Sequence, residues 1–351
     1  MTSLYGIIDA RELAGTVTTI TENNLAEAMR FYLDLYNGAV TQLVADYANR
    51  TTLATERFYL PTEAGEMEPS DEYSRGIMVR RPSPTYYDVA YPIKSVDARL
   101  GWTQLFLAKA TGTRVQEDFD AVQQKDKRTM LKDVLRALLY KTNYTWDDDE
   151  AGTLTIRRLL NADGTIPPPV GTKTFDGNHT HYAGTNSAFN AAFMAVVYEH
   201  LREHGHGGNV IVEIARNLVS TVEGMTGFVP ASKTFDARRN YPAGSTSAPI
   251  TSTVTSPRAI GRIENMEIRV HDHFPDNYGF ATDLSSPPPL AMREDAEATL
   301  NGLRLVQDTP IDNYPLRNAF FQRRVGFGTR NRSNGFCFQV VGSSTYTSPS
   351  I

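Results

Sequence analysis

The sequence predicts an α+β protein, in which four helical stretches, the strongest of them long, alternate with groups of strands. Three observations carry this. From Arg114 to Lys141 the apolar residues Val115, Phe119, Val122, Met130, Leu131, Val134, Leu135, Leu138 and Leu139 share one helical face. Between 187 and 258 a helix, a strand and a second helix follow one another. Beyond that, short apolar runs separated by turn residues read as strands.

Each element has a local cause. Thr21, Asn23 and Asn24 start a helix over 22–48, with Leu25, Ala28, Met29, Tyr32, Leu35 and Tyr36 at helical spacing and Gly38 as a weak point. Phe58-Tyr59-Leu60 and Ile77-Met78-Val79 then read as strands of an extended hairpin. Its tip, Pro61 to Ser74, carries Glu63, Glu66, Glu68, Asp71 and Glu72, and its returning arm carries Arg75, Arg80 and Arg81. A two-stranded hairpin of this length is marginal alone in water and has to rest on something else. Its charges suit pairing across a contact with another subunit.

At about 1.5 Å per residue the 114–141 helix spans roughly 40 Å. Past it, Asp147-Asp148-Asp149-Glu150 is an acidic turn, Gly152 to Ile156 a strand, and Asn161-Ala162-Asp163-Gly164 a further turn. The middle region offers a helix from Ala188 to Glu203, a glycine stop at Gly205 to Gly208, a strand at Val210 to Ile214 and a helix near Asn217 to Glu223, and then the Ser/Thr/Ala/Pro-rich stretch Ala243 to Ser256. Strands follow at Glu267 to Val270, Tyr278 to Ala281 and Leu290 to Arg293. Near the end, Arg323, Arg324, Arg330 and Arg332 surround Gly326-Phe327-Gly328 and lead into the alternating strand Phe336 to Val341, a pattern that reads as a basic hairpin turning at the glycines.

Composition narrows the function. A chain of 351 residues buries a substantial core, and 40% hydrophobic with 21% charged residues is globular. The net charge of -5 argues against a uniformly basic nucleic-acid binder, the 323–332 segment being the best local basic patch. Cys337 is the only cysteine, so no disulfide forms within the chain and a reducing compartment is expected. No apolar run is long enough to span a bilayer.

Catalytic motifs are missing. Gly171-Thr172-Lys173-Thr174 lacks the spacing of a phosphate loop, and the Asp147–Glu150 run lacks the spaced carboxylates of a calcium loop. Six of the seven histidines form His-x-His pairs, His179/His181, His204/His206 and His271/His273. Such a pair on a strand puts both rings on one face, but a zinc site needs three or four ligands and spacing alone supplies two. Asp176 and Asp272 are the nearest carboxylates in sequence. Polar turn histidines are the preferred reading, with no cofactor, no metal and no enzyme; a metal-dependent enzyme built on these pairs is the alternative from another class.

Taken in order, these segments resemble the major capsid proteins of tailed phages with the HK97 fold. The likeness rests on layout together with Ala137-Leu138-Leu139-Tyr140, Trp146, Gly152-Thr153-Leu154-Thr155, Asn161-Ala162-Asp163-Gly164, Ile260-Gly261-Arg262-Ile263, Pro287-Pro288-Pro289-Leu290-Ala291-Met292-Arg293, Gly326-Phe327-Gly328 and Tyr346-Thr347-Ser348-Pro349. It implies an N-terminal arm at 1–55, an extended loop at 56–93 lying over a neighbouring subunit, a spine helix, a peripheral domain at 95–186 and 259–351, and an α/β axial domain at 187–258.

The implied function is assembly. Hexamers and pentamers would close an icosahedral shell around double-stranded DNA contacted non-specifically, in a virion assembled in the host cytoplasm. Scaffolding, portal and decoration proteins are the implied further partners, and no membrane is involved. A protein-filled, encapsulin-like compartment of the same fold is the close rival. Glu66, Glu68, Arg75, Arg80, Arg81, Arg323, Arg324, Arg330 and Arg332 are the expected subunit-interface residues. About 55 residues precede the hairpin, so no large self-scaffold is expected. The first lysine is Lys94, so neither is a crosslink through a loop lysine.

Overall fold

The computed structural model describes residues 22–59, 86–103, 112–230, 258–306, 311–313 and 316–351. In chain order these form α1 (Glu22–Val44), β1 (Ala48–Thr51), β2 (Thr55–Tyr59), β3 (Tyr86–Ala90), β4 (Lys94–Thr103), α2 (Gly112–Leu139), β5 (Tyr144–Asp148), β6 (Gly152–Ile156), β7 (Tyr182–Gly184), α3 (Ala191–Arg202), β8 (Val210–Ala215), α4 (Val219–Glu223), β9 (Phe228–Pro230) and β10 (Arg258–Ile263). There follow β11 (Met266–His271), β12 (Tyr278–Asp283), β13 (Leu290–Arg293), β14 (Leu303–Leu305), β15 (Ile311–Asn313), β16 (Leu316–Thr329) and β17 (Phe336–Gln339). The long helix sits where its apolar stripe placed it. The first helix runs unbroken through Gly38 and ends at Val44.

The chain divides into two compact units, residues 1–45, 93–133 and 293–326 in one, and 46–92, 134–292 and 327–351 in the other. In the first, β16 pairs antiparallel with β4 from Leu316↔Thr103 to Val325↔Lys94, and β14 and β15 also pair with it. Exposure alternates along most of β4, as a strand with one covered face requires. Leu33 of α1, Phe119 and Val122 of α2, Trp102 of β4, Leu303 of β14 and Ala319 and Phe321 of β16 form its core.

The second unit holds a mixed seven-stranded sheet in the order β7-β17-β12-β8-β11-β10-β9. Central β8, Val210-Ile211-Val212-Glu213-Ile214-Ala215, is buried at every position, as its nearly unbroken apolar run requires. Asn190 caps α3 by accepting a hydrogen bond from the Phe193 amide at 3.1 Å. The helix buries Met194, Val197 and Leu201, which fall on one stripe.

Two sequence expectations change. The 187–258 stretch does not close on itself: its strand β8 lies parallel to β11 and antiparallel to β12, both from beyond residue 258. One sheet therefore unites residues that the expected axial and peripheral domains kept apart. The 323–335 segment is likewise not a hairpin, because β16 and β17 belong to different sheets. Gly328 lies within β16, and a Cβ there would come 2.7 Å from the Ala90 carbonyl oxygen and 2.8 Å from Tyr91 Cδ1. Close backbone approach, rather than a turn, accounts for this glycine.

Glu213 sits fully buried in the centre of this sheet, with Tyr47 Oη 2.8 and 2.7 Å from its two carboxylate oxygens. Burial pushes its carboxyl up to about 7 from the ordinary 4.5, against the pull of the tyrosine hydrogen bond. A folded-state value above the unfolded one means that this group's stabilising contribution is complete below about 4.5 and is lost as pH rises through about 7, in total on the order of 3 kcal/mol. Glu213→Gln is expected to flatten that decline in urea unfolding followed across pH. An unchanged pH dependence in the variant would contradict this.

Candidate assembly surface and its internal anchors

β2 and β3 pair antiparallel from Thr55↔Ala90 to Tyr59↔Tyr86, so residues 60–85 connect them in sequence. The proposed tip and arm residues Glu66, Glu68, Arg75, Arg80 and Arg81, and the expected strand at 77–79, lie outside the described residues. Phe58 faces Tyr87 in the ladder, and their rings stack at 5.5 Å. Arg57 meets Asp88 through Nε at 2.7 Å and Nη2 at 2.9 Å, and its guanidinium lies 4.0 Å over the Tyr86 ring.

The base of the hairpin rests on its own chain. Val89 and Tyr91 pack with Ala291, while Ala90 joins Leu154 and Ile156, with Trp146 and Tyr144 alongside. The packing that a lone hairpin needs is thus met at its root within the second unit. Glu56 of β2 also accepts from Arg330 Nε at 2.9 Å, and the Arg330 amide donates to the Pro289 carbonyl at 2.8 Å.

All four arginines of the 323–332 segment pair with carboxylates of the same chain. In the first unit Arg323 is buried. Its Nε and Nη2 donate to Asp126 Oδ1 and Oδ2 at 2.8 and 2.7 Å, and Nη2 also donates to Asn37 Oδ1 at 3.1 Å. Tyr36 donates to Asp126 Oδ2 at 3.0 Å. Asn37 in turn clips β14, donating to the Leu303 carbonyl at 3.0 Å and accepting from its amide at 2.8 Å. Arg324 pairs with Asp295 at 2.8 Å.

In the second unit Arg332 is 1% exposed. Its Nε donates to the Arg158 carbonyl at 2.6 Å, Nη1 to Thr165 Oγ1 at 2.6 Å, and Nη2 to Asp163 Oδ2 at 2.8 Å and Asn161 Oδ1 at 3.2 Å. Burial alone would raise the Asp163 carboxyl; the adjoining Arg332 charge and hydrogen bonds from Thr165, Arg332 and Asn143 outweigh it and hold the group well below the usual carboxylate range. Arg323 and Arg332 were expected at a subunit contact and instead fasten the interior, because a buried guanidinium requires its acceptors on the spot. Arg324 and Arg330 stay partly exposed beside their partners.

The three His-x-His pairs fare differently. His206 bridges Ser286 and Ser333 at 2.9 and 3.0 Å, and buried His271 accepts from the His273 amide at 3.2 Å. His179 and His181 instead meet His204, which follows α3, with His200 and Glu203 close by. Burial disfavours the charged form of all three rings, lowering His179, lowering His181 well below the ordinary value and His204 to about 3. Asp176, the carboxylate nearest in sequence, accepts from the Asn178 amide in its own turn. Glu203 belongs to no sequence pattern that singles it out, whereas His200 stands four residues before His204 at the end of α3, a spacing that sets two rings on one helical face.

No protein-family model and no curated protein matches the chain. Solved structures do. A chain from Mycobacterium phage Patience matches with a TM-score of 0.68 at 22% identity, over 99% of this chain and 96% of that one. A chain in the capsid structure of the cyanophage P-SCSP1u matches with a TM-score of 0.51 at 12% identity, over 85% and 87%. Through nearly all of its length, the chain has the fold of phage capsid proteins.

Proposed function

We propose that this protein is the major capsid protein of a tailed phage, which assembles as hexamers and pentamers into an icosahedral shell around double-stranded DNA. The likeness to the Patience chain across 99% of the sequence carries the reading. The described geometry supports it. The root of the 56–93 hairpin is fixed to its own subunit by Glu56–Arg330 and by the packing around Tyr91, which leaves the 60–85 loop to reach a neighbour through Glu66, Glu68, Arg75, Arg80 and Arg81. Residues 1–55 serve as the N-terminal arm and α2 as the spine.

The net charge of -5 suits a container, since many phosphate contacts would grip the genome with strong, salt-dependent affinity. Among the described residues no helix is long and apolar enough to cross a membrane. The protein's place is the virion shell, built in the host cytoplasm with scaffolding, portal and decoration proteins as partners. Electron microscopy of the purified protein, alone and with a co-expressed scaffolding protein, is expected to show closed symmetric shells. Reversing Arg75, Arg80 and Arg81 to Glu is expected to abolish shells while shifting the stability of the unassembled subunit by no more than about 0.5 kcal/mol per site. Monomers or small oligomers of the unaltered chain under every condition would overturn the reading.

A further inference from the structure

We propose that His179, His181 and His204 form a site for a divalent transition metal, zinc foremost, that fastens the C-terminal end of α3 to the β7 edge of the seven-stranded sheet. The ligand atoms of the three histidines all lie within 4.8 Å of one another. His179 Nε2 lies 3.2 Å from His181 Nε2 and 2.9 Å from His204 Nε2, and Glu203 Oε1 is 3.3 Å from His179 Nε2. A tetrahedral ion about 2.0–2.1 Å from each nitrogen separates its ligands by roughly 3.3 Å.

The proton inventory points the same way. His181 Nδ1 lies 2.6 Å from the Gly335 carbonyl, an acceptor only, so Nδ1 carries the proton and Nε2 presents a lone pair. This is the orientation in which an outer hydrogen bond prepares an imidazole to bind metal. His179 Nε2 then faces two nitrogens and the Glu203 carboxylate at once. If it is protonated, one N–H serves three acceptors; if His204 donates to it instead, two lone pairs face each other across 3.2 Å beside that carboxylate. A cation between the rings satisfies all three nitrogens together.

Aromatic rings flank the cluster. Phe175 stacks on His204 at 4.2 Å and Phe336 on His200 at 4.7 Å, while His181 is fully buried. Glu203, which also faces His200 Nδ1 at 3.1 Å, supplies a negative charge at the rim. Three imidazoles beside one carboxylate are a donor set that suits zinc, drawn here from an irregular segment and from the end of a helix.

The test is metal binding by the full-length protein after chelator treatment, using Zn²⁺ alone as the probe in competition with a chromophoric chelator. One equivalent is expected to bind and to raise the melting temperature. His179→Gln and His204→Gln are each expected to weaken binding beyond the about 10–100-fold that outer partners of a metal site contribute, whereas His273→Gln leaves it unchanged. X-ray absorption of the zinc-loaded unaltered protein is expected to count three imidazoles at about 2.0–2.1 Å, a reading that stands even if a variant fails to fold. No stoichiometric binding, fewer than three imidazoles, or undiminished affinity in folded His179 and His204 variants would each overturn the proposal.

Discussion

Replacing Arg332 with Met is expected to destabilise the folded chain by about 3–5 kcal/mol, the range seen when one partner of a buried ion pair is removed. Methionine restores most of the apolar stem and none of the donors. The Arg158 carbonyl, Thr165 Oγ1 and Asn161 Oδ1 all lose a guanidinium hydrogen bond in a place that water does not reach easily. Asp163 keeps Arg157 Nη1 at 3.0 Å and Asn143 Nδ2 at 2.7 Å, so the larger part of the cost falls on the irregular 158–165 segment. Arg332→Lys is expected to recover little, because a single ammonium cannot reach acceptors on several sides as the planar fork does. Urea unfolding of the unassembled subunit measures both variants, and a loss below about 1 kcal/mol for Arg332→Met would show that the network is not what orders this segment.

Asp126→Asn is the second large effect, also about 3–5 kcal/mol, because it leaves a buried Arg323 cation with neutral acceptors only. The double variant Asp126→Leu with Arg323→Met is expected to regain most of that loss. A buried pair offsets its own desolvation only narrowly, and apolar side chains of similar size do about as well. A double-mutant cycle by chemical denaturation reads the coupling directly. Additive losses in the double variant would mean that each residue acts alone, contrary to the bidentate geometry.

Much of this fold was legible because it is periodic. The stripe of Phe119, Val122 and Met130 predicts α2, and the same stripe contains Asp126 and Asp133, both buried. A carboxylate on a buried helical face calls for a cation, and Arg323 and Lys94 supply it. That signal was present in the sequence; which cation answers it was not, because both partners lie far along the chain. Distance also hid the fate of the 323–335 segment. Two strands flanking a Gly-Phe-Gly sequence look like a local hairpin, yet β16 finds β4 and β17 finds β12. The histidines show the same limit. A spacing of two identifies His179 and His181 as neighbours, whereas His204 joins them only through the folding of α3 against the sheet.

The pairing of β16 with β4, and of β17 with β12 and β7, has a consequence for the order of events in the cell. Each compact unit takes a strand from residues 316–339, and that stretch is made long after the strands it pairs with. At translation rates of about 5–20 residues per second, β4 waits roughly 10–40 s for β16. Until then its edge is an open row of unpaired backbone groups, a template for pairing with the wrong chain. A chain interrupted before residue 316 keeps that open edge for good.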